Sequence, residues 1–342
     1  TLNCYNDKMP KLNVLVAGST GYIGVQLIKL LVKHSNVKLR YLCGNSSIGK
    51  KISFFEKSLN SKKLPKIIKF NKSFLKNVDL IFTALPNGQA QEISRNLLIK
   101  NTLIDLAADF RLDKASEYLK WYKQKHKSIK NIDKSIYSLP EINGHQIKNY
   151  NIISCPGCYP TSVLLPLIPL IKKNLVNGKN IIIDSKSGYS GAGRNVHTKY
   201  KNKNLYESIS AYGVGFHRHN SEIQQELNKF SKRKITFTFT PHLTPMFRGI
   251  LSTIYLDLNN GSSISKLQKT LSKTYFKSKF VKILEINDVI NTNNCHIAIC
   301  KTKYKNKVIV LSAIDNLIKG GAGQAIQNMN IKFKFPISKG LR

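Results

Sequence analysis

Long hydrophobic runs are what this chain most plainly lacks. Nowhere in its 342 residues does an unbroken apolar stretch approach the roughly eighteen residues of a membrane-crossing helix. Neither a secretory leader nor a lipid-anchor motif is recognisable, so the chain reads as soluble and cytoplasmic, with no membrane partner. Acidic residues are few, 18 against 55 basic ones, for a net charge of +37, a balance that ordinarily points to nucleic acid. Arginine, however, makes up only eight of those 55, and arginine is the residue that makes bidentate contacts to phosphates and bases. The lysines are scattered among Asn and Ile rather than gathered in a stripe, so no nucleic-acid partner is expected. The six cysteines show no regular spacing, which argues against a disulfide framework. Cys295-His296-Ile297-Ala298-Ile299-Cys300 lacks a second ligand pair and alternates like a packed strand, so no metal site is expected. An apolar content of 42% excludes a disordered chain, and the length suggests two domains.

What is present begins with residues 1–10 as an irregular lead-in and a short apolar strand, Leu12–Ala17. It runs into Gly18-Ser19-Thr20-Gly21-Tyr22-Ile23-Gly24 and then a helical pattern over Val25–Val32. Glycines at this spacing, between a strand and a helix, permit a tight turn and close approach of a pyrophosphate to the helix N-terminus. Gly18 to Gly24 are therefore candidate cofactor-binding residues. The second strand, Lys38–Cys43, ends without the Asp or Glu that grips a ribose 2′-hydroxyl. The following Gly44–Lys51 supplies Ser46, Ser47 and two lysines instead, which suits a 2′-phosphate and predicts NADP over NAD. Strands over Asp79–Leu85 and Thr102–Leu106, with a helix over Gln89–Ile99, complete a doubly wound pattern. Ligands bind beyond the carboxyl ends of such strands, where Asn87 and Arg111 fall. Residues 112–150 read as a polar excursion.

A strand-like Asn151-Ile152-Ile153 then leads into Ser154-Cys155-Pro156-Gly157-Cys158-Tyr159-Pro160-Thr161 and an apolar segment to Ile171. A thiol in the first turn of a helix sits at its positive end, which predicts a depressed pKa for Cys158. His217-Arg218-His219 is the nearest downstream basic group, and it makes a candidate nucleophile-and-base pair with Cys158. The Cys155–Cys158 spacing also fits a thiol–disulfide oxidoreductase, which would use Cys155 as nucleophile. Beyond residue 158, Asn180–Ser185 is a strand followed by a glycine-rich loop, Lys186–Arg194. Lys234–Thr240, Gly249–Leu256, Ile297–Thr302 and Lys307–Leu311 alternate with period two, as antiparallel half-buried strands do. Asp315–Ala325 opens a helix after a strand. The fold class is thus α/β: an N-terminal Rossmann-type parallel sheet domain, plus an α+β catalytic domain with a mostly antiparallel sheet.

Several of these segments together resemble the N-acetyl-γ-glutamyl-phosphate reductases of arginine biosynthesis, relatives of aspartate-semialdehyde dehydrogenase. They are Gly18–Gly24, Ala84–Gly88, Ala108–Arg111, Leu139–Glu141, Pro156–Thr161, Lys186–Arg194, His217–His219 and Asp315–Ala325. One departure is Cys155, where the family usually carries Asn. The resemblance implies NADPH-dependent reduction of an acyl phosphate to an aldehyde through a Cys158 thioester, with His219 as acid–base group. It implies Arg111, His217, Lys186, Ser187 and Arg194 around the substrate, and Pro86 and Asn316 beside the cofactor. It further implies an NADP-binding unit of residues 1–157 and 318–342, a catalytic unit of 158–317, and a homodimer or homotetramer through the second sheet. Within the same architecture the competing expectation is aspartate-semialdehyde dehydrogenase; outside it, a cofactor-binding regulator without catalysis.

Overall fold

The computed structural model describes residues 11–194 and 207–341; the lead-in over 1–10 lies outside them. Seven strands form a wholly parallel sheet: β1 (Leu12–Ala17), β2 (Val37–Cys43), β3 (Ile67–Ile68), β4 (Leu80–Thr83), β5 (Thr102–Asp105), β6 (Ser135–Tyr137) and β7 (Ile152–Ser154). Their order is β3-β2-β1-β4-β5-β7-β6. Central strands of such a sheet are covered on both faces, which is why β1 and β4 read as continuous apolar runs rather than alternating ones. Helix α1 (Tyr22–Leu31) follows β1 directly, and α2 (Gln89–Ser94) follows β4. The expected helix to Ile99 stops at Ser94. There the Ser94 hydroxyl donates to the Gln91 carbonyl at 2.7 Å and the Asn96 amide to the Glu92 carbonyl at 2.8 Å. Those carbonyls need no further helical turn. The polar excursion over 112–150 is folded. It holds α3 (Ala115–Tyr122), β6 at the sheet edge, and α4 (Pro140–Asn143).

The second sheet comprises β8 (Ile181–Gly188), β9 (Ser210–Ala211), β10 (Phe237–Thr244), β11 (Ile250–Asp257), β12 (Val281–Ile283), β13 (Cys295–Lys301) and β14 (Lys307–Ile314), in the order β12-β13-β14-β11-β8-β10-β9. Most of its pairs are antiparallel, but β10 runs parallel to β8 and β12 parallel to β13. The antiparallel expectation for the strand around 234–240 is thereby corrected on its β8 side. Period-two alternation reports a half-buried strand, not its direction, and α6 (His219–Lys229) lies on the connection that a parallel return requires.

Helix α5 (Cys158–Lys172) packs on the inner face of this sheet and is buried from Tyr159 to Ile171. Pro169 has no N–H to offer the Leu165 carbonyl. The Tyr275 hydroxyl, at the end of α7 (Ile264–Tyr275), donates to that carbonyl instead. After β14 a π-turn over Ile318–Ala322 leads into α8 (Gly323–Lys332), which returns to the first sheet. There Ala325, Ile326 and Met329 are buried with Leu27, Ile28, Ile104 and Ile153. Lys319 is fully buried, its Nζ donating to Glu141 Oε1 at 2.6 Å and Gln327 Oε1 at 2.9 Å.

Candidate active site

The start of α5 sets the geometry. Gly157 caps the helix and Cys158 is its first residue. A β-carbon on Gly157 would lie 2.4 Å from His219 Nε2, so only glycine lets the imidazole press against the backbone just before the thiol. Cys158 and His219 line one cavity of about 320 Å³, together with Tyr22, Ile23, Arg111, Ser187, Tyr212, His217, Arg218 and Asn316. The returning chain completes the floor: a β-carbon on Gly320 would lie 2.7 Å from that of Cys158.

Beneath the cavity Glu222 joins three elements. Its carboxylate is fully buried and accepts from Arg111 Nη1 at 3.0 Å, from the Gly157 N–H at 3.0 Å and from the Tyr137 hydroxyl at 3.2 Å. It also lies 3.7 Å from His219 Nε2. Glu222 does not stand out in the sequence as a site residue. The available signal was its place three residues after His219 in a helix, which puts both on one face. Arg111, the candidate phosphate ligand, further donates to the Cys155 carbonyl at 2.9 Å and the Leu106 carbonyl at 2.9 Å. With three of its donors committed inside the protein, it holds the Cys158 turn and balances Glu222. Asp109 is not its partner. It accepts from the Gly88 and Ala90 N–H groups at 2.7 and 3.0 Å, capping α2.

Other candidates divide. Ser187 and His217 reach the cavity, and His217 Nδ1 accepts from the His219 N–H at 3.2 Å. Lys186 does not reach it. One step along a strand reverses the face, so Lys186 lies on the outer face of the second sheet, paired with Asp184 at 2.8 Å. Arg194 reaches the glycine loop instead, donating to the Thr20 carbonyl at 2.8 Å and lying 4.5 Å from the Tyr22 ring centroid. Asn316 joins the cavity wall to the second sheet, donating to Ser190 Oγ at 3.0 Å and accepting from the Gly249 N–H at 2.8 Å.

A second cleft, of about 640 Å³, opens at the carboxyl ends of β1, β2 and β4. Gly18 has φ +85°, and a β-carbon there would lie 2.2 Å from the Ala84 carbonyl oxygen, so the loop packs directly on the end of β4. Gly18, Gly44, Asn45 and Lys69 line the cleft and no acid follows β2, an arrangement that fits a dinucleotide. Ser19 turns inward, its hydroxyl donating to the Cys43 carbonyl at 3.0 Å. Ser46, Ser47 and Pro86 are not in the cleft wall, whose polar side chains are Asn45, Lys69, Gln89, Glu92, Arg95 and Asn96. Lys50 lies over the Phe54 ring at 4.2 Å. A wider groove at the opposite end of the sheet, lined by Arg95, Lys127 and Ile152, receives none of the candidate residues.

Burial decides the protonation states. It pushes the Cys158 thiol up to about 11, against the downward pull of Arg111. The expectation of a depressed value is corrected: desolvation outweighs the helix terminus. Burial holds His219 well below its usual range, helped by the positive charges of His217, Arg111 and Arg218. The resting pair is therefore a thiol beside a neutral imidazole. Cys155 is buried, and desolvation raises its thiol to about 12, the reverse of what a redox nucleophile needs. Among the described residues no cluster of three or more His, Cys, Asp or Glu side chains is placed to hold a metal, and no helix is long and apolar enough to cross a membrane.

Comparison with known proteins matches residues 13–150 to the NAD binding domain of semialdehyde dehydrogenase and residues 158–316 to its dimerisation domain. A probable chloroplastic N-acetyl-gamma-glutamyl-phosphate reductase of Arabidopsis thaliana is 40% identical over 95% of this chain and 82% of its own length. The N-acetyl-gamma-glutamyl-phosphate reductase of Thermoanaerobacter pseudethanolicus is 43% identical over 93% of this chain and 94% of its own. Among solved structures, aspartate semialdehyde dehydrogenase II of Vibrio cholerae complexed with ASA shares the fold. Its TM-score is 0.69 at 16% identity, covering 95% of this chain and 99% of that one.

Proposed function

Since the chain belongs to the N-acetyl-γ-glutamyl-phosphate reductases, we propose that it reduces N-acetyl-γ-glutamyl phosphate to N-acetyl-L-glutamate 5-semialdehyde, releasing phosphate, in arginine biosynthesis. The observation that carries this reading is Cys158 at the head of α5, in one cavity with the neutral imidazole of His219. With a thiol value of about 11, roughly one thiol in ten thousand is ionised at pH 7, so attack needs a base at hand. His219 takes the thiol proton as the Cys158 sulfur bonds to the acyl carbon, and the carbon–oxygen bond to phosphate breaks to leave a thioester. The Glu222 carboxylate, 3.7 Å away, stabilises the imidazolium so formed. A bound dinucleotide supplies the hydride that reduces the thioester carbonyl. His219 gives its proton to the resulting oxyanion, then takes it back as the carbon–sulfur bond breaks and the semialdehyde departs. The returned proton restores the thiol.

For the dinucleotide we assign NADP, held by the Gly18–Gly24 loop and the cleft of Asn45 and Lys69. The support is a β2 end without an acid and with a lysine in the cleft wall. We assign the NADP-binding unit to residues 1–157 and 318–342 and the catalytic unit to 158–317; burial of α8 against α1 and the first sheet supports this division. We also propose a homo-oligomer, dimer or tetramer, through the outer face of the second sheet, where Ile182 and Tyr255 are 50% and 43% exposed.

The test is phosphate-dependent oxidation of N-acetylglutamate semialdehyde, followed by NADPH absorbance. Turnover of aspartate semialdehyde in preference to it would overturn the substrate assignment, and equal catalytic efficiency with NAD would overturn the cofactor choice. A monomer at micromolar concentration in light scattering would count against the assembly.

A further inference from the structure

Among the described residues the wall of the Cys158 cavity contains no acidic side chain, yet two arginines line it, the buried Arg111 and the exposed Arg218. Arg111 is neutralised by Glu222 and committed to two carbonyls. Arg218, at the N-cap of α6, pairs with no carboxylate among the described residues. Its guanidinium carbon lies 5.5 Å from the centroid of the Tyr122 ring. Tyr122 is fixed in turn by stacking on Tyr118 at 4.8 Å, whose hydroxyl donates to Asp109 at 2.8 Å. The Tyr122 hydroxyl is itself buried without a hydrogen-bond partner among the described residues.

A buried, unpartnered hydroxyl is costly to keep, and an arginine with no carboxylate partner among the described residues, at the edge of a cavity without acids, is a ready counter-charge for an incoming anion. On the reading above, the substrate brings two such groups, the phosphoryl that leaves and the carboxylate that stays. We propose that Arg218, steadied by Tyr122, binds an anionic oxygen pair of the substrate. The proposal rests on taking this cavity as the acyl-phosphate site. The planar fork of guanidinium donors matches phosphoryl and carboxylate oxygens alike.

Steady-state kinetics of the full chain in the phosphorylating direction, with N-acetylglutamate semialdehyde, inorganic phosphate and NADP, test it. Arg218→Met should raise one KM by about ten- to a hundredfold, as expected for loss of a charge-assisted contact. The kcat should change far less, and Arg218→Lys should recover part of the loss. A rise confined to phosphate identifies the phosphoryl group, and a rise confined to the semialdehyde identifies the carboxylate. Both KM values within twofold of wild type overturn the proposal. A second measurement does not depend on turnover: the ratio of Cys158 alkylation rates by iodoacetate and by iodoacetamide. If wild type oxidises no semialdehyde, the functional reading fails and this ratio alone decides. A several-fold fall in Arg218→Met supports the anion site, and an unchanged ratio removes it.

Discussion

Replacing Glu222 by Gln keeps the shape of the side chain and removes one charge. That carboxylate is fully buried 3.0 Å from the Arg111 guanidinium, which remains a cation at any pH the protein survives. Removing one partner of a buried ion pair costs about 3–5 kcal/mol, because the other is left uncompensated. The amide also has one acceptor oxygen where three donors converge, from Arg111, Gly157 and Tyr137. Its NH₂ group must therefore face at least one of them. With a urea slope near 3 kcal/mol/M, the unfolding midpoint should fall by about 1–2 M. Arg111→Met combined with Glu222→Leu removes both charges together and should lose less than the sum of the single variants, a coupling that a double-mutant cycle isolates. A Glu222→Gln midpoint within about 0.2 M of wild type, or strict additivity in the cycle, would refute the argument.

The alkylation rate of Cys158 by iodoacetamide should climb about tenfold per pH unit through neutrality toward its value of about 11; a plateau below pH 8 would show a thiolate already formed. Cys158→Ser should abolish reduction while dinucleotide affinity, read by fluorescence titration, stays unchanged, because Gly18 packs on the end of β4 rather than on α5. Cys155→Ser should retain turnover, since among the described residues its sulfur accepts from Asn328 Nδ2 alone, at 3.5 Å, and a hydroxyl can do the same; loss of activity there would revive the thiol–disulfide reading. Gly157→Ala should reduce kcat by about a hundredfold or more, as its β-carbon would meet His219 Nε2 at 2.4 Å; wild-type turnover would mean that the imidazole need not sit where it does.

Much of the architecture was legible because local rules agreed with the fold. β1, the glycine loop and α1 form one uninterrupted signal, and Cys158 after Gly157 announces a helix start. What escaped was information carried by partners distant in sequence. Arg111 looked free because its acid, Glu222, lies 111 residues away on another helix. Lys186 looked like a loop residue because β8 extends to Gly188, past the point where glycines suggest a turn. The direction of β10 depends on where a crossover lands, which alternation does not encode. The rise in the Cys158 thiol needs the depth of burial, which a helix-start motif cannot supply. Tyr122 was hidden in a segment whose polar composition suggested no packing.

The contact between Gly320 and Cys158 has a mechanical side. The chain leaves the parallel sheet through residues 155–158 and comes back through 315–323, so the two crossings touch at the α- and β-carbons of the reacting cysteine. If the two sheets swing relative to one another, the axle runs through that touching point, and material on an axle turns without travelling. Cys158 would hold its place through any such swing.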